Sequence, residues 1–196
     1  MFHDIPEMVM KRMIYLEDLD KRHRVDSAPS HIRLRQVPAE TGKFLALLAA
    51  VAPDGEYLEI GTSGGYSALW LSLACRKLGR KLMTFEVLKD KVDIARESFH
   101  LAGVEEIVEL IQGDAREYIQ QYKKIAFCFL DAEKDMYREC YEKTVPNMIS
   151  GGILVADNVI SHEEILGKWV ADVMQDGRVD AVVVPIGSGV LVCVKK

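Results

Sequence analysis

The stretch Tyr57-Leu58-Glu59-Ile60-Gly61-Thr62-Ser63-Gly64-Gly65-Tyr66-Ser67 decides the fold. An apolar run of strand length breaks into a glycine-rich turn, and a helical pattern over residues 67–78 follows at once. Glycines at a strand-to-helix turn permit positive φ and let a ligand approach the backbone. Outward from this turn the chain keeps the same rhythm. Short apolar runs at 81–85, 107–111, 125–130 and 152–156 alternate with helical stretches, among them 89–102 and 137–148. Within 89–102, Val92, Ala95, Phe99 and Ala102 recur at three- and four-residue spacing. Such alternation implies an α/β fold: a mostly parallel sheet with helices on both faces. The run at 125–130, apolar throughout, suits a central strand covered on both sides. Residues 179–185 and 190–195, joined by Ile186-Gly187-Ser188-Gly189, predict a hairpin, hence an antiparallel strand closing one edge and a seven-stranded sheet.

Residues 1–55 differ in kind. Positions 6–20 read as an amphipathic helix through Val9, Met13, Leu16 and Leu19, and 21–35 as a polar, basic connection containing Pro29. A second helix over 41–52 is stopped by Pro53-Asp54-Gly55. We expect this part to cap the core formed by 56–196, within one domain, as a length of 196 residues suggests. An apolar fraction of 49% with 28% charged residues excludes disordered and fibrous classes. No run approaches the ~20 apolar residues that cross a bilayer. The N-terminus shows no secretory pattern, so a cytoplasmic setting is expected. Cys75, Cys128, Cys140 and Cys193 lie far apart with no C-x-x-C pair, which removes zinc ribbons and redox motifs and leaves buried apolar roles. A net charge of −5 gives no whole-molecule attraction to nucleic acid.

Acids recur at predicted strand ends. Glu86 lies 25 residues past Gly61, where a carboxylate can accept both hydroxyls of a ribose, and Gln112-Gly113-Asp114-Ala115 closes the next strand. Glycine spacing G-x-x-G-G is neither the dinucleotide fingerprint nor a P-loop. Glu59, just before the first glycine, would repel a pyrophosphate and suit a cationic ligand. S-adenosylmethionine combines ribose, adenine, sulfonium and ammonium, and so matches the joint placement of these acids.

Two further strands end in carboxylates, at Asp131 and at Asp157-Asn158. Two carboxylates and an amide carbonyl are hard oxygen ligands of the kind Mg²⁺ accepts while keeping positions for water and substrate. No His or Cys adjoins them in sequence, which disfavours softer metals. Asn158 alone would read as a cap for a helix over 161–174; opposite Asp131 it reads as a ligand. Lys134 follows Asp131 by three residues, where a nearby cation and sulfonium would disfavour its protonated form, as a general base requires.

These residues carry a resemblance. The segment 57–70, Asp131-Ala132-Glu133-Lys134 and Gly152-Ile153-Leu154-Val155-Ala156-Asp157-Asn158-Val159 resemble the three motifs of the cation-dependent O-methyltransferases, which include catechol and caffeoyl-CoA O-methyltransferases. The resemblance implies the class I methyltransferase (Rossmann-like) fold with S-adenosylmethionine over the first strands. By position, Glu59, Gly61, Ser63, Gly65, Tyr66 and Ser67 would surround its methionine part, with Val37 nearby. Glu86 would hold the ribose, and Gly113, Asp114 and Ala115 would border the adenine. Asp131, Asp157 and Asn158 would ligate a divalent cation (Mg²⁺, with Ca²⁺ or Mn²⁺ as alternatives), Asp131 would also face the donor, and Lys134 would be the base. Glu133 replaces the family's usual second Asp. The segment after Asn158 is short, which implies an open acceptor site.

The implied activity is methyl transfer to a hydroxyl of a small catechol-like or phenolic acceptor, by a homodimer with no membrane partner. A second reading keeps the chemistry and makes a hydroxylated uridine of tRNA the acceptor, with the basic residues of 21–35 on phosphates. A third is a non-catalytic binding protein of the same fold.

Overall fold

The protein is described here by a computed structural model covering residues 1–26, 29 and 32–196. Helix α1 (Glu7–Val25) starts after Pro6 and carries Arg22, His23 and Arg24 in its last turn, where positive charge complements the helix dipole. Residues 21–25 are thus helical, not the connection expected there; positions 27, 28, 30 and 31 of that connection lie outside the described residues. Helix α2 (Ala39–Val51) follows. The alternating part runs β1 (Glu56–Ile60), α3 (Tyr66–Leu78), β2 (Leu82–Glu86), α4 (Lys89–Ala102), β3 (Val108–Gln112), α5 (Ala115–Tyr118), β4 (Ile125–Leu130), α6 (Tyr137–Thr144), β5 (Met148–Ala156), α7 (Glu163–Met174), β6 (Val179–Val184) and β7 (Val190–Lys195). Met148 begins β5 and does not end a helix, because Pro146 cannot continue α6 and leaves only a 3-10 turn over Val145–Asn147.

The seven strands lie in the order β3-β2-β1-β4-β5-β7-β6. Strands β1 to β5 are parallel, and β7 is antiparallel to both its neighbours. The hairpin forms as expected, yet β6 takes the edge and the antiparallel strand slots inside it. Side chains alternate across the sheet. Tyr57, Phe127, Phe129 and Val155 pack with α1 to α4, whereas Leu58, Ile60, Cys128, Leu130 and Leu154 pack with α5 to α7. All four cysteines are free and buried among these apolar side chains. Chain direction across the sheet reverses between β1 and β4, so a crevice opens beyond their carboxyl ends, the usual ligand position in an open α/β sheet.

Candidate active site

A cavity of about 590 Å³ occupies this crevice. One wall is the glycine turn. Gly61 takes φ +102, and a Cβ there would lie 2.2 Å from the Asp131 carbonyl oxygen, so β1 and β4 approach at a point only glycine allows. Ser63 also stands in the left-handed region, at φ +48. Its N–H donates to Glu86 Oε2 (2.8 Å) and its hydroxyl to the Leu34 carbonyl (2.6 Å), while Leu88 N–H donates to Glu86 Oε1 (2.9 Å). Glu86 is thereby fixed at the end of β2, and the 33–38 segment is tied across the opening.

Most of the residues singled out in the sequence line this cavity. Val37, Gly61, Ser63, Tyr66 and Ser67 lie on one side, and Glu86, Gly113 and Ala115 border it along β2 and β3. Asp131, Lys134, Asp157 and Asn158 complete it. Three expected donor contacts are not on its wall. Gly65 (φ +90) serves as the cap of α3, with the Phe99 ring filling the space beside it. The Asp114 carboxylate turns away to cap α5 and to bind Arg116 through Nε (3.0 Å) and Nη2 (2.5 Å). Glu59 is fully buried behind the turn, where Thr84 Oγ1 donates to its Oε2 at 2.5 Å.

Burial raises the Glu59 carboxyl from 4.5 to about 7, against the lowering effect of the Ser67 and Thr84 hydroxyls. An acid raised in the folded state is best tolerated while protonated, so the stability linked to Glu59 declines as pH rises from about 4.5 to about 7. Glu59→Gln removes that dependence. The variant should gain roughly 3 kcal/mol over the parent at pH 8 and under ~1 kcal/mol at pH 5, read from urea unfolding. An equal difference at both pH values would refute the assignment.

The facing wall is built by β4 and β5. Asp131 N–H donates to the Ile60 carbonyl (2.9 Å) and Asp157 N–H to the Leu130 carbonyl (3.0 Å), so strand pairing sets both carboxylates at one rim. Burial raises the pKa of Asp131; burial and the Asp131 charge raise Asp157 to about 7. Asn158, at φ +64, donates from Nδ2 to Asp157 Oδ2 (3.1 Å), while Asp157 Oδ1 is buried without a partner. Among the described residues no three His, Cys, Asp or Glu side chains group as a metal site; the set here is two carboxylates and an amide. An orphaned carboxylate oxygen beside a second, partly buried carboxylate fits a hard divalent cation, which would relieve both.

Lys134 Nζ donates to Asp131 Oδ1 (3.3 Å), the Ala132 carbonyl (3.0 Å) and Tyr137 Oη (3.1 Å). Tyr137 is a residue the sequence reading passed over as a helix start. Its hydroxyl donates in turn to the Asp157 carbonyl (3.1 Å), and its ring stands edge-on to Trp169 at 5.4 Å. Tyr137 thus joins Lys134 to the β5 rim. The signal was present: a tyrosine three residues after Lys134 starts a helix that must pack beside β5. His162 also lines the cavity, although no histidine adjoins the carboxylates in sequence. Its N–H donates to the Asn158 carbonyl (2.9 Å) at the start of α7, so His162 and not Asn158 caps that helix. The loop between Asn158 and α7 rests on the β6–β7 turn: Val159 N–H donates to the Gly189 carbonyl (3.0 Å), and Ile160 and Ser161 N–H to that of Ser188 (3.2 and 3.0 Å).

Comparison with known proteins gives a consistent result. A family model described as O-methyltransferase matches residues 9–196. Among curated proteins, the chain is similar to a catechol O-methyltransferase from Mycobacterium tuberculosis, 34% identical over 134 residues, covering 67% of this chain and 60% of that protein. The match therefore spans less than two thirds of that relative's length. Among solved structures, the fold resembles the SAH-bound methyltransferase PaMTH1 of Podospora anserina (TM-score 0.81, 22% identity, 98% of this chain and 89% of that one). It also resembles the O-methyltransferase TomG of Streptomyces achromogenes, solved with SAM (TM-score 0.79, 25% identity, 98% of this chain and 91% of that one).

Proposed function

The chain belongs to the O-methyltransferase family, and on that premise we propose that it transfers a methyl group from S-adenosylmethionine to a hydroxyl of a small catechol-like acceptor, with the help of a divalent cation. One arrangement carries this reading. Asp131, Asp157, Asn158 and Lys134 share a single cavity with the glycine turn and Glu86. A binding protein would need the turn and Glu86, but not a lysine set against a pair of carboxylates.

In this reading Glu86 accepts the ribose hydroxyls. The backbone around Gly61 and Ser63, with Val37, Tyr66 and Ser67, surrounds the methionine part, and Gly113 and Ala115 border the adenine. Asp131, Asp157 and the Asn158 carbonyl hold the cation, with Mg²⁺ favoured by the all-oxygen donor set. A bound cation would stabilise the acceptor as its oxyanion. Lys134 Nζ, entering the reaction as the neutral amine after releasing a proton to solvent, takes the hydroxyl proton, and Asp131, Ala132 and Tyr137 fix its position. Donor and acceptor held in line within the cavity would gain much of the rate from that alignment.

The site favours a small acceptor over RNA. Of the basic residues from Lys21 to Arg35 first assigned to phosphates, Lys21 pairs with Asp18 (3.4 Å) and Arg24 with Asp20 (2.7 Å) of their own helix, while Arg33 and Arg35 line the cavity. A screen with methyl-labelled donor, catechols and bulk tRNA tests the proposal. We expect catechol methylation with Mg²⁺ and a loss of roughly a hundredfold or more in excess chelator. Undiminished transfer under chelation removes the cation from the mechanism, and methylation of tRNA alone replaces the acceptor.

A further inference from the structure

None of the acids singled out in the sequence is free to meet the ammonium of the donor. Glu59 is walled in behind the glycine turn, the Asp114 carboxylate is claimed by Arg116, and Asp131 accepts from Lys134. Asp20, near the end of α1, lines the same cavity. It is 6% exposed; Arg24 Nε donates to its Oδ2 at 2.7 Å, while Oδ1 is buried with no partner among the described residues. Gln36, beside Val37, also lines the cavity, and its Oε1 is likewise buried and unpartnered. Two buried acceptors left open are costly unless a ligand brings the donors.

Helix α1 carries Asp20 to the glycine turn. Leu16 Cδ2 lies 3.4 Å from the place of a Cβ on Gly64, and Tyr66 Oη donates to Glu17 Oε1 at 2.5 Å. Asp20 is four residues past Leu16 and three past Glu17, hence one turn further along the same face. The Ser63 hydroxyl, through the Leu34 carbonyl, ties the segment bearing Gln36 to that same turn. We propose that Asp20 Oδ1 and Gln36 Oε1 receive the ammonium of S-adenosylmethionine, so that α1 and the 33–38 segment supply the counter-charge that the strand-end acids do not. This rests on the donor reading above and extends it to residues outside the alternating core. Carboxylate and amide oxygens only accept, and the charge on Asp20 selects a cation over a neutral N–H group. A turn about χ2, a soft torsion in Asp, brings Oδ1 round to the cavity, and Arg24, 64% exposed, has room to follow.

Calorimetry with S-adenosylhomocysteine and with its analogue lacking the α-amino group tests this, since neither titration needs an acceptor or a cation. The ratio of the two Kd values within one protein cancels changes in folding and in the adenosine contacts. The parent should bind the amino form roughly tenfold tighter or more, and Asp20→Asn should bring the ratio to within about threefold of unity. Gln36→Leu, which leaves the Asp20–Arg24 pair intact, should move the ratio part of the way. A parental ratio near unity, which needs no variant to fold, overturns the inference and leaves methyl transfer standing. So does a ratio unmoved in Asp20→Asn, including a loss of affinity for both ligands alike, which would make Asp20 a structural partner of Arg24 only. Binding of neither ligand by the parent overturns the donor reading as well.

Discussion

Asp131→Ala is expected to lower methyl transfer on the order of a thousandfold or more while leaving the unliganded protein at least as stable as the parent. Asp131 has two duties at once. In the proposed mechanism its carboxylate is one of the two ionic oxygen donors to the cation at the β4–β5 rim, and it also accepts from Lys134 Nζ at 3.3 Å. On that reading, removing it would take a ligand from the cation and an anchor from the base, effects that act as one unit and exceed a single lost contact. Stability moves the other way because Asp157 is raised to about 7 partly by the Asp131 charge, and that repulsion disappears. The measurement pairs kcat/KM on catechol with urea unfolding of the apo protein. A variant that keeps more than about a tenth of parental activity would remove Asp131 from the chemistry.

Gly61→Ala is expected to cost roughly 4 kcal/mol of folding stability, the largest loss we assign to any single methyl group in this chain. Two separate costs add here. The residue sits at φ +102, where a side chain is strained, and the new carbon would lie 2.2 Å from the Asp131 carbonyl oxygen. That oxygen is backbone, and Asp131 N–H is paired with the Ile60 carbonyl at 2.9 Å, so no side chain can swing aside. Relief requires parting β1 from β4, which would also displace Asp131. Denaturant unfolding reads the cost; a change below ~1 kcal/mol would contradict the close approach.

Much of this was legible in the residues because the period-two and helical patterns are dictated by burial on two sheet faces. The strand at 125–130 announces itself by being apolar throughout, and Asp131, Asp157 and Asn158 follow directly from where two such strands end. What escaped depends on distances across the fold. Glu59 and Asp114 share the look of a ligand-binding acid with Glu86, yet one is walled in behind the turn beside Thr84 and the other is claimed by Arg116 two residues away. Sequence separation cannot tell these fates apart, since each turns on where a neighbouring side chain points. Tyr137 and Asp20 reverse the case. Each reads as an ordinary helix residue until packing brings it to the cavity. The order of β6 and β7 was equally hidden, because a hairpin specifies only that its two strands pair and not which one meets β5.

The loop after Asn158 is seated on the β6–β7 turn by three backbone hydrogen bonds, and a Cβ on Gly187 would lie 2.4 Å from Thr41 Oγ1 on the opposite side of that turn. Main-chain bonds of this kind do not depend on which side chains the loop carries, so exchanging Ser161 leaves this wall of the cavity in register. A single inserted residue would not, because it must unseat the whole ribbon. Changes of acceptor in descendants of this chain would accordingly arise through loop length, with the C-terminal hairpin acting as the gauge of what length is admitted.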